Sequence, residues 1–337
     1  MPVRLKDIAD DLNLSKMTIS KVLRGQTDIS AETKARVLQR VKELKYIPNI
    51  NANSLRTGQT MTTGLILPSL RDSNLSDIAE GVAEVIHADG YGLLVGDSRN
   101  DPELEQRQIE MFLSRQVDAI LLVSAQETIE FFEQMHTPRK TNLVFINRRP
   151  PGVTERFVGL QEEEVGRIAC EHLLLCGCKR VAYLRGPRTA IGDLRAKGYR
   201  KAISDRRLTF QPHLVVDTMG TGETEYRRGF QAMTKLMAAR SRPDGVMAYT
   251  DSMAAGAMDA ALRAGVKIPA EIMFAGCGND SLLCDMRVPL TSIDLCSREI
   301  GQKAGRMALR LNAAEKGSSG RVSLLKPRLV KRLSTAR

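Results

Sequence analysis

A short segment after Ser15 carries side chains that can contact DNA bases, and they recur at helical spacing. At about 100° per residue, Lys16 and Thr18 border one side of a helix. Four residues share that side: Met17, Ser20, Lys21 and Arg24. Lysine can donate to guanine O6 and N7, serine can bond either base partner, and methionine can contact a thymine methyl group. The pattern predicts a base-reading surface, although a solvated helix face would have the same polarity.

The elements around this segment are those that such a surface needs. The opposite side of the helix is apolar and must pack inward: Ile19, Val22 and Leu23. A preceding helix has an apolar stripe at i, i+3, i+4 and i+7: Leu5, Ile8, Ala9 and Leu12. Ser15 is suited to cap the second helix, because its hydroxyl can accept from a free amide of the first turn. Two helices joined by a short turn predict a helix-turn-helix, whose second helix enters the major groove.

A third helix is expected between Ser30, another N-cap, and Pro48, which cannot continue the hydrogen-bond ladder. Its buried stripe is predicted to be Val37, Leu38, Val41 and Leu44. The formal net charge of the chain is +11, and residues 1–60 carry 11 Lys and Arg against 6 Asp and Glu. Positive charge is therefore concentrated in this all-α head, which favours a polyanionic partner.

From Thr62 onward, apolar runs alternate with amphipathic helical stretches. Continuous apolar runs are typical of strands that are buried on both faces of a parallel sheet. The runs lie at 64–67, 93–95, 119–123, 143–146, 181–184, 245–248 and 272–275. We therefore predict an α/β body of two doubly wound lobes. The polar stretch 147–152 is the expected first crossover between lobes, and 326–332 is expected to form a final strand.

The head resembles that of the lactose-repressor (LacI) family without a gap over about 55 residues. The matching segments are 5–9, 14–23, 29–30 and 44–49. The resemblance implies a hinge at 51–56 that becomes helical on operator DNA, with Leu55 wedging into a base step and Ala52 facing the partner hinge. Composition alone indicates only a polar linker there. The predicted DNA-binding residues are Leu5, Ser15, Lys16, Met17, Thr18, Ser20, Lys21, Arg24, Asn49, Ala52 and Leu55.

The body resembles the periplasmic-binding-protein-like core of that family through segments that include 186–187, 198–199, 250–257, 289–293 and 330–332. The resemblance implies a small effector, a sugar or sugar derivative, in the cleft between the lobes. Arg195 aligns with an arginine that holds effector hydroxyls or a carboxylate. The full predicted effector-binding set is Asn74, Leu75, Asn147, Arg195, Thr250, Asp251 and Asn279. Two alternatives stay open: Arg195 could be a surface cation, and Asp251 could only cap the next helix.

One position departs from the family pattern. Where relatives carry an acidic residue that grips sugar hydroxyls, this chain has Gly278. Asn279 or Asp280 would then take that role, or the effector differs from the common sugars. Effector identity, operator sequence and the choice between induction and co-repression do not follow from the sequence.

Other classes of function are disfavoured by what the sequence lacks. It contains no phosphate-binding loop, no nucleophile elbow and no plausible catalytic triad, so we do not expect an enzyme. The cluster of Cys170, His172, Cys176 and Cys178 could chelate zinc through an i, i+4 pair, but we interpret these residues as ordinary parts of a helix and expect no metal or cofactor. No signal segment is seen, which argues against a free-standing exported binding protein.

The sequence thus predicts an effector-controlled regulator, most simply a repressor, that binds near-palindromic operator DNA as a homodimer in the cytoplasm, on the nucleoid. No leucine-heptad segment follows the core, so a tetramer is not expected. The predicted domains are a head at 1–48, a hinge at 49–60 and a core at 61–337. Lobe 1 is expected at about 61–150 and 294–318, and lobe 2 at about 151–293 and 319–337.

Overall fold

The computed structural model describes residues 3–23, 26, 28–46, 58–135, 141–218, 224–313 and 321–336. The chain divides into two compact units, which we call the head (Met1–Thr60) and the core (Met61–Arg337).

The described part of the head contains three helices: α1 (Leu5–Asp11), α2 (Lys16–Leu23) and α3 (Ala31–Glu43). The predicted caps are present, since the Ser30 hydroxyl accepts from the Thr33 amide at 3.3 Å. The helices enclose a small apolar core: Ile8, Ala9, Ile19, Val22 and Val37. The prediction that Leu38 is buried was wrong, because its side chain is 52% exposed. The α3 stripe follows steps of three and four residues from Val37, and Leu38 lies about 100° away from it.

The core contains twelve strands: β1 (Thr62–Leu67), β2 (Gly92–Asp97), β3 (Ala119–Leu122), β4 (Asn142–Ile146), β5 (Phe157–Leu160), β6 (Val181–Arg185), β7 (Val215–Asp217), β8 (Gly245–Ala248), β9 (Met273–Cys277), β10 (Thr291–Asp294), β11 (Val322–Leu325) and β12 (Arg328–Val330), counted over the described residues. They form two six-stranded sheets, ordered β11-β5-β4-β3-β1-β2 and β12-β10-β9-β8-β6-β7. All pairings are parallel except that of β10 with β12.

Helices cover the sheets, as expected for doubly wound lobes. They are α4 (Ser73–Ala88), α5 (Pro102–Ser114), α6 (Glu130–Gln134), α7 (Glu162–Leu175), α8 (Ala190–Asp205), α9 (Glu225–Ala238), α10 (Asp251–Arg263) and α11 (Ser297–Ala313). Three short 3-10 turns lie at Pro212–Leu214, Ser281–Leu283 and Leu333–Thr335. One buried cluster includes Leu65 and Val144 of the first sheet and Tyr183 and Ala275 of the second, so the two lobes share apolar packing.

The predicted lobe boundaries require correction. The stretch 147–152 is not a crossover, because β5 after it pairs with β4 in the first sheet. The chain first passes to the second sheet at Gln161, returns at 295–296 and passes again at 326–327. The segments 157–160 and 322–325 therefore belong to lobe 1 and not to lobe 2. A buried four-residue run fits either sheet equally well, and only hydrogen bonding to a distant strand decides between them.

Candidate DNA interface and effector cleft

The α2 helix has the two faces that its sequence predicts. The Ser15 hydroxyl accepts from the Thr18 amide at 3.0 Å and so fixes the start of the helix. Ile19 and Val22 are buried on the inner side. On the other side, Lys16 is exposed and the Met17 side chain is 68% exposed. A large apolar side chain held in solvent beside a cation is suited to contact a thymine methyl group next to a phosphate or a guanine.

The remaining predicted DNA contacts differ in their surroundings. The Lys21 ammonium is paired with the Asp28 carboxylate, and both groups are partly exposed. This hydrogen bond holds the pKa of Asp28 below its ordinary value. Ser20 lies half-buried on α2, and Leu5 is half-buried against the apolar core of the head. The other four predicted contacts lie outside the described residues: Arg24, Asn49, Ala52 and Leu55.

In the core, most predicted effector residues follow the carboxyl ends of parallel strands, where open α/β sheets bind ligands. Asn74 and Leu75 begin α4 after β1, Asn147 follows β4, Thr250 and Asp251 follow β8, and Asn279 follows β9. The lobes meet here, since the Ser73 hydroxyl donates to the Asp280 carboxylate across the cleft at 2.9 Å. The structure thus brings the start of α4 together with the loop 278–280.

Asp251 lies in the middle of this group and is 3% exposed. Its carboxylate accepts from the Ser292 hydroxyl at 2.6 Å and from the Asp280 amide at 2.8 Å. Burial raises the pKa of Asp251 to about 6, although both hydrogen bonds act in the opposite direction. Because its two oxygens are occupied from within the protein, Asp251 holds the β9 and β10 loops together rather than offering a free acceptor to a ligand.

Its neighbour Thr250 is the N-cap of α10, accepting from the Met253 amide at 3.3 Å. The Thr250 hydroxyl also donates to Glu225 at 2.6 Å. Burial raises the pKa of Glu225, which this hydrogen bond partly counteracts. Thr250 therefore fixes the end of β8 relative to α9 and α10.

The family departure at Gly278 has a steric reason in this chain. Gly278 has φ +138°, and a Cβ there would lie 2.8 Å from the Asn74 amide nitrogen and 3.2 Å from an Asp251 oxygen. The neighbouring Asn279 side-chain oxygen accepts from Arg332 at 2.6 Å. Asp280 is bonded to Ser73 and to the Leu282 amide. A side chain at position 278 would thus strain the backbone and displace the Asn74 side chain, and the side-chain oxygens of Asn279 and Asp280 already bond within the protein.

At the start of α4, the Asn74 side-chain oxygen accepts from the Ser297 hydroxyl at 3.0 Å. Leu75 packs against the shared apolar cluster of the core. Arg195 is also held within the protein: it is 5% exposed, donates to Glu162 at 2.7 Å and to the Tyr249 carbonyl at 3.0 Å, and stacks on the Tyr249 ring. The alternative that Arg195 is a surface cation was therefore wrong. No hydrogen bond or ion pair among the described residues links Arg195 or Asn147 to the Asp251 group.

Sequence reasoning missed two residues of the cleft. Glu162 is the buried partner of Arg195, but at the first turn of α7 it resembles any solvated acidic residue. Arg148 follows Asn147 directly, and its Nε and Nη2 atoms are buried without a hydrogen-bond partner. The Asn147 side-chain oxygen is in the same state. No periodicity signals a buried arginine, because arginine is usually exposed.

The cluster of cysteines and histidine is built into the second lobe. His172 bonds the Thr335 hydroxyl at 2.8 Å, and the Cys176 sulfur lies 3.7 Å from the same ring nitrogen. Within the described residues, no three His, Cys, Asp or Glu side chains converge as a metal site would require. Nor is any described helix both long enough and apolar enough to span a membrane.

Comparison with known proteins gives consistent relatives for both units. A model of bacterial regulatory proteins of the lacI family matches residues 4–49, and a model of the periplasmic binding protein-like domain matches residues 170–335. The transcriptional repressor PurR of Pasteurella multocida is 28% identical over 332 residues, covering 98% of each chain. Catabolite control protein A of Priestia megaterium is 26% identical over 328 residues, covering 96% of this chain and 97% of its own.

Solved structures show the same architecture. The lac repressor dimer bound to operator and the anti-inducer ONPF superposes with a TM-score of 0.87 at 24% identity, covering 100% of both chains. A LacI-family transcriptional regulator from Sanguibacter keddieii gives a TM-score of 0.72 at 26% identity, covering 82% of this chain and 99% of that one. The chain thus combines a helix-turn-helix domain of the lacI family of bacterial regulatory proteins with a two-lobed periplasmic-binding-protein-like core.

Proposed function

We propose that this protein is a transcriptional repressor that binds a near-palindromic operator as a homodimer and responds to a small molecule in the cleft of its core. The observation that carries the proposal is the exposed face of α2, where Lys16 and Met17 stand in solvent on a helix fixed by the Ser15 cap. Relatives that are called repressors and match along almost the whole chain support the same direction of regulation.

In this proposal, residues 1–48 bind one half-site and the segment 49–60 forms the hinge, with Ala52 facing its partner and Leu55 entering the minor groove. The predicted contacts of Leu5, Thr18, Ser20, Lys21, Arg24 and Asn49 belong to the same surface. Two-fold symmetry in the protein would be mirrored by symmetry in the operator. The place of action would be the cytoplasm, on the chromosome.

The core, residues 61–337, takes the effector, which we propose to be a sugar or a sugar derivative. Asn147 offers a buried side-chain oxygen to a ligand hydroxyl. The other predicted residues shape the cleft through the bonds described above: Asn74, Leu75, Arg195, Thr250, Asp251 and Asn279. A ligand that binds one arrangement of the lobes more tightly would shift the population in which paired hinges can form.

Selection of bound sites from random DNA tests the DNA-binding part. We expect a palindromic consensus, and purely non-specific binding with a steep salt dependence would contradict the proposal. Lys16→Ala should weaken binding to the selected site by about 1–3 kcal/mol if the lysine reads a guanine. Lys42→Ala is the matched control, because it removes an exposed cation from α3 and should leave the consensus and the affinity nearly unchanged.

Thermal denaturation in a panel of sugars, sugar acids and nucleobases tests the effector part. A binder should raise the melting temperature of the full chain and change its affinity for the selected DNA site. Asn147→Ala should reduce the thermal response, and it should lower the melting temperature of the free protein only by the backbone strain of alanine at φ +53°, since the Asn147 side-chain oxygen bonds no other described group. Mass measurement in solution should return a dimer, and a tetramer would contradict that assignment.

A further inference from the structure

The sharp turn at the end of β4 aims two polar side chains that the rest of the protein leaves unbonded. Asn147 has φ +53°, and its amide donates to the Val158 carbonyl at 2.8 Å. The Arg148 carbonyl accepts from the Ser124 amide at 3.4 Å, so both residues are fixed through their main chain. The first sheet therefore fixes the backbone from which both side chains extend.

Arg148 is a partly buried cation, and two of its nitrogens are buried without a hydrogen-bond partner. Its Nε and Nη2 atoms have no hydrogen-bond partner, carboxylate oxygens of the described residues included. Burial lowers the pKa of the guanidinium, with Glu105 and Tyr249 as its charged or ionisable neighbours. Glu105 does not neutralise Arg148 by direct contact, because its two oxygens accept from the Ser124 hydroxyl and the Ala125 amide. Buried guanidinium groups are normally paired.

The charge of Arg148 interacts with one group of the opposite lobe, Tyr249. Tyr249 directly follows β8 of the second sheet, and the Arg195 guanidinium stacks on its ring at 4.6 Å. Two carboxylates of the second lobe already accept hydrogen bonds within the protein: Glu162 accepts from Arg195, and Glu225 accepts from the Thr250 hydroxyl. The end of β4 therefore carries two buried, unpaired donors on Arg148 and one buried, unpaired acceptor on Asn147, with the charge of Arg148 close enough to interact with Tyr249 of the other lobe.

We propose that the effector carries an anionic group, a carboxylate or a phosphate, which Arg148 binds through Nε and Nη2, while the Asn147 oxygen accepts from a neighbouring hydroxyl of the same molecule. These two nitrogens form one edge of the guanidinium, which suits two parallel bonds to the oxygens of either anion. A neutral sugar would leave the charge of Arg148 buried and unpaired. The inference rests on the proposed function, because it assumes that the cleft binds the regulatory ligand.

Three-carbon fragments test this without knowledge of the full effector. Glycerol, glycerate and glycerol 3-phosphate share hydroxyls and differ in the anion, and each is added to the full chain at matched ionic strength. We expect glycerate or glycerol 3-phosphate, but not glycerol, to raise the melting temperature, by about 2–4 °C at roughly tenfold excess over its Kd. Whichever of glycerate and glycerol 3-phosphate raises the melting temperature more identifies the anionic group of the effector as a carboxylate or a phosphate. No response to either anion beyond the matched chloride would overturn the proposal.

Variants assign the response to Arg148. Arg148→Gln should abolish the rise in melting temperature with the anionic fragment. Arg148→Lys should keep a response with an affinity weakened by about tenfold or more, because an ammonium point charge replaces the two parallel donors of the guanidinium. Arg149→Gln is the control for a neighbouring guanidinium: Arg149 lies over the Phe157 ring and leaves only Nη1 buried and unpaired, not the Nε–Nη2 edge, so this variant should keep the response. An undiminished response in Arg148→Gln would overturn the proposal.

The melting temperature without ligand separates a ligand-binding arginine from a structural one. Arg148→Gln should melt close to the temperature of the wild type, because Nε and Nη2 of Arg148 bond no described group and the variant loses only the longer-range attraction to Glu105. A marked fall in melting temperature, with Arg148→Lys equally destabilised, would assign Arg148 to the fold and overturn the proposal.

Binding to the selected operator is measured in parallel. A wild-type protein that binds the selected operator but shows no anion response contradicts this inference alone, whereas absent DNA binding contradicts the proposed function.

Discussion

The Arg195 guanidinium lies 2.7 Å from the Glu162 carboxylate, and each side chain is only 6% exposed. The pair joins α8 to the first turn of α7 beside the cleft. Burial opposes the charge on Arg195, but the nearby carboxylate more than offsets this effect, so the pKa of Arg195 is raised. Because both charges are buried and close together, removing either one should cost more free energy of unfolding than removing one partner of a surface pair.

Removing only one partner of this pair should therefore be costly. Arg195→Ala is expected to lower the free energy of unfolding by about 3–5 kcal/mol, because Glu162 is left buried and uncompensated. The measurement is urea denaturation followed by circular dichroism. Lys197→Ala is the control: it removes an exposed lysine that pairs with Glu163, and should cost no more than about 1 kcal/mol. Equal effects of the two variants would show that burial does not strengthen the Arg195 pair.

Asp251 should make stability depend on pH. Its pKa is raised to about 6 in the folded protein from 3.8 in the reference state. Because the folded state holds this proton more tightly, the contribution of Asp251 favours folding at low pH and is lost as pH rises from about 4 through about 6. Wild type minus Asp251→Asn, compared by urea denaturation across this window, should fall with rising pH. A difference that is flat or rises would show that the pKa is not raised.

Gly278 should not tolerate a side chain. Gly278→Ala places a methyl group against the Asn74 amide, which faces it from the other lobe, and it also imposes backbone strain at φ +138°. We expect lower stability and a wider cleft, measured by denaturation and by small-angle scattering. Gly265→Ala is the control for a left-handed glycine without a steric neighbour, because Gly265 has φ +78° and nothing lies within 4 Å of its added Cβ. That control should cost only about 1 kcal/mol and leave the scattering curve unchanged.

Asp28 should weaken DNA binding by occupying Lys21. Asp28→Asn frees the ammonium group and removes a negative charge from the proposed interface, so affinity for any DNA should rise, most strongly at low salt. Fluorescence anisotropy with specific and random duplexes over a salt series measures this. Asp10→Asn makes the same change in net charge at an exposed position on α1 and should have the smaller effect. A larger gain from Asp10→Asn would place the sensitive charge elsewhere.

Local patterns were sufficient for much of the fold. The α2 faces, the Ser15 and Ser30 caps and the central strands of both sheets follow from periodicity and capping chemistry, which depend on neighbouring residues. Local patterns gave two wrong predictions: that Leu38, which adjoins the buried stripe of α3, is buried, and that 147–152, which has the composition of a linker, crosses between the lobes. Assignment of 157–160 and 322–325 to a sheet required partners that are distant in the chain.

The sequence by itself determined the family, the helix-turn-helix and the two-lobed α/β plan, because each is encoded by short spacings that survive without knowledge of distant contacts. Only the tertiary structure decided what the polar residues of the cleft do. Arg195, Asp251 and Asn279 have the types of ligand-binding residues, but Glu162, Ser292 and Arg332 satisfy them from other parts of the chain. Arg148 is left with unpaired donors for the same reason, since whether a buried polar group is satisfied depends on its neighbours in space.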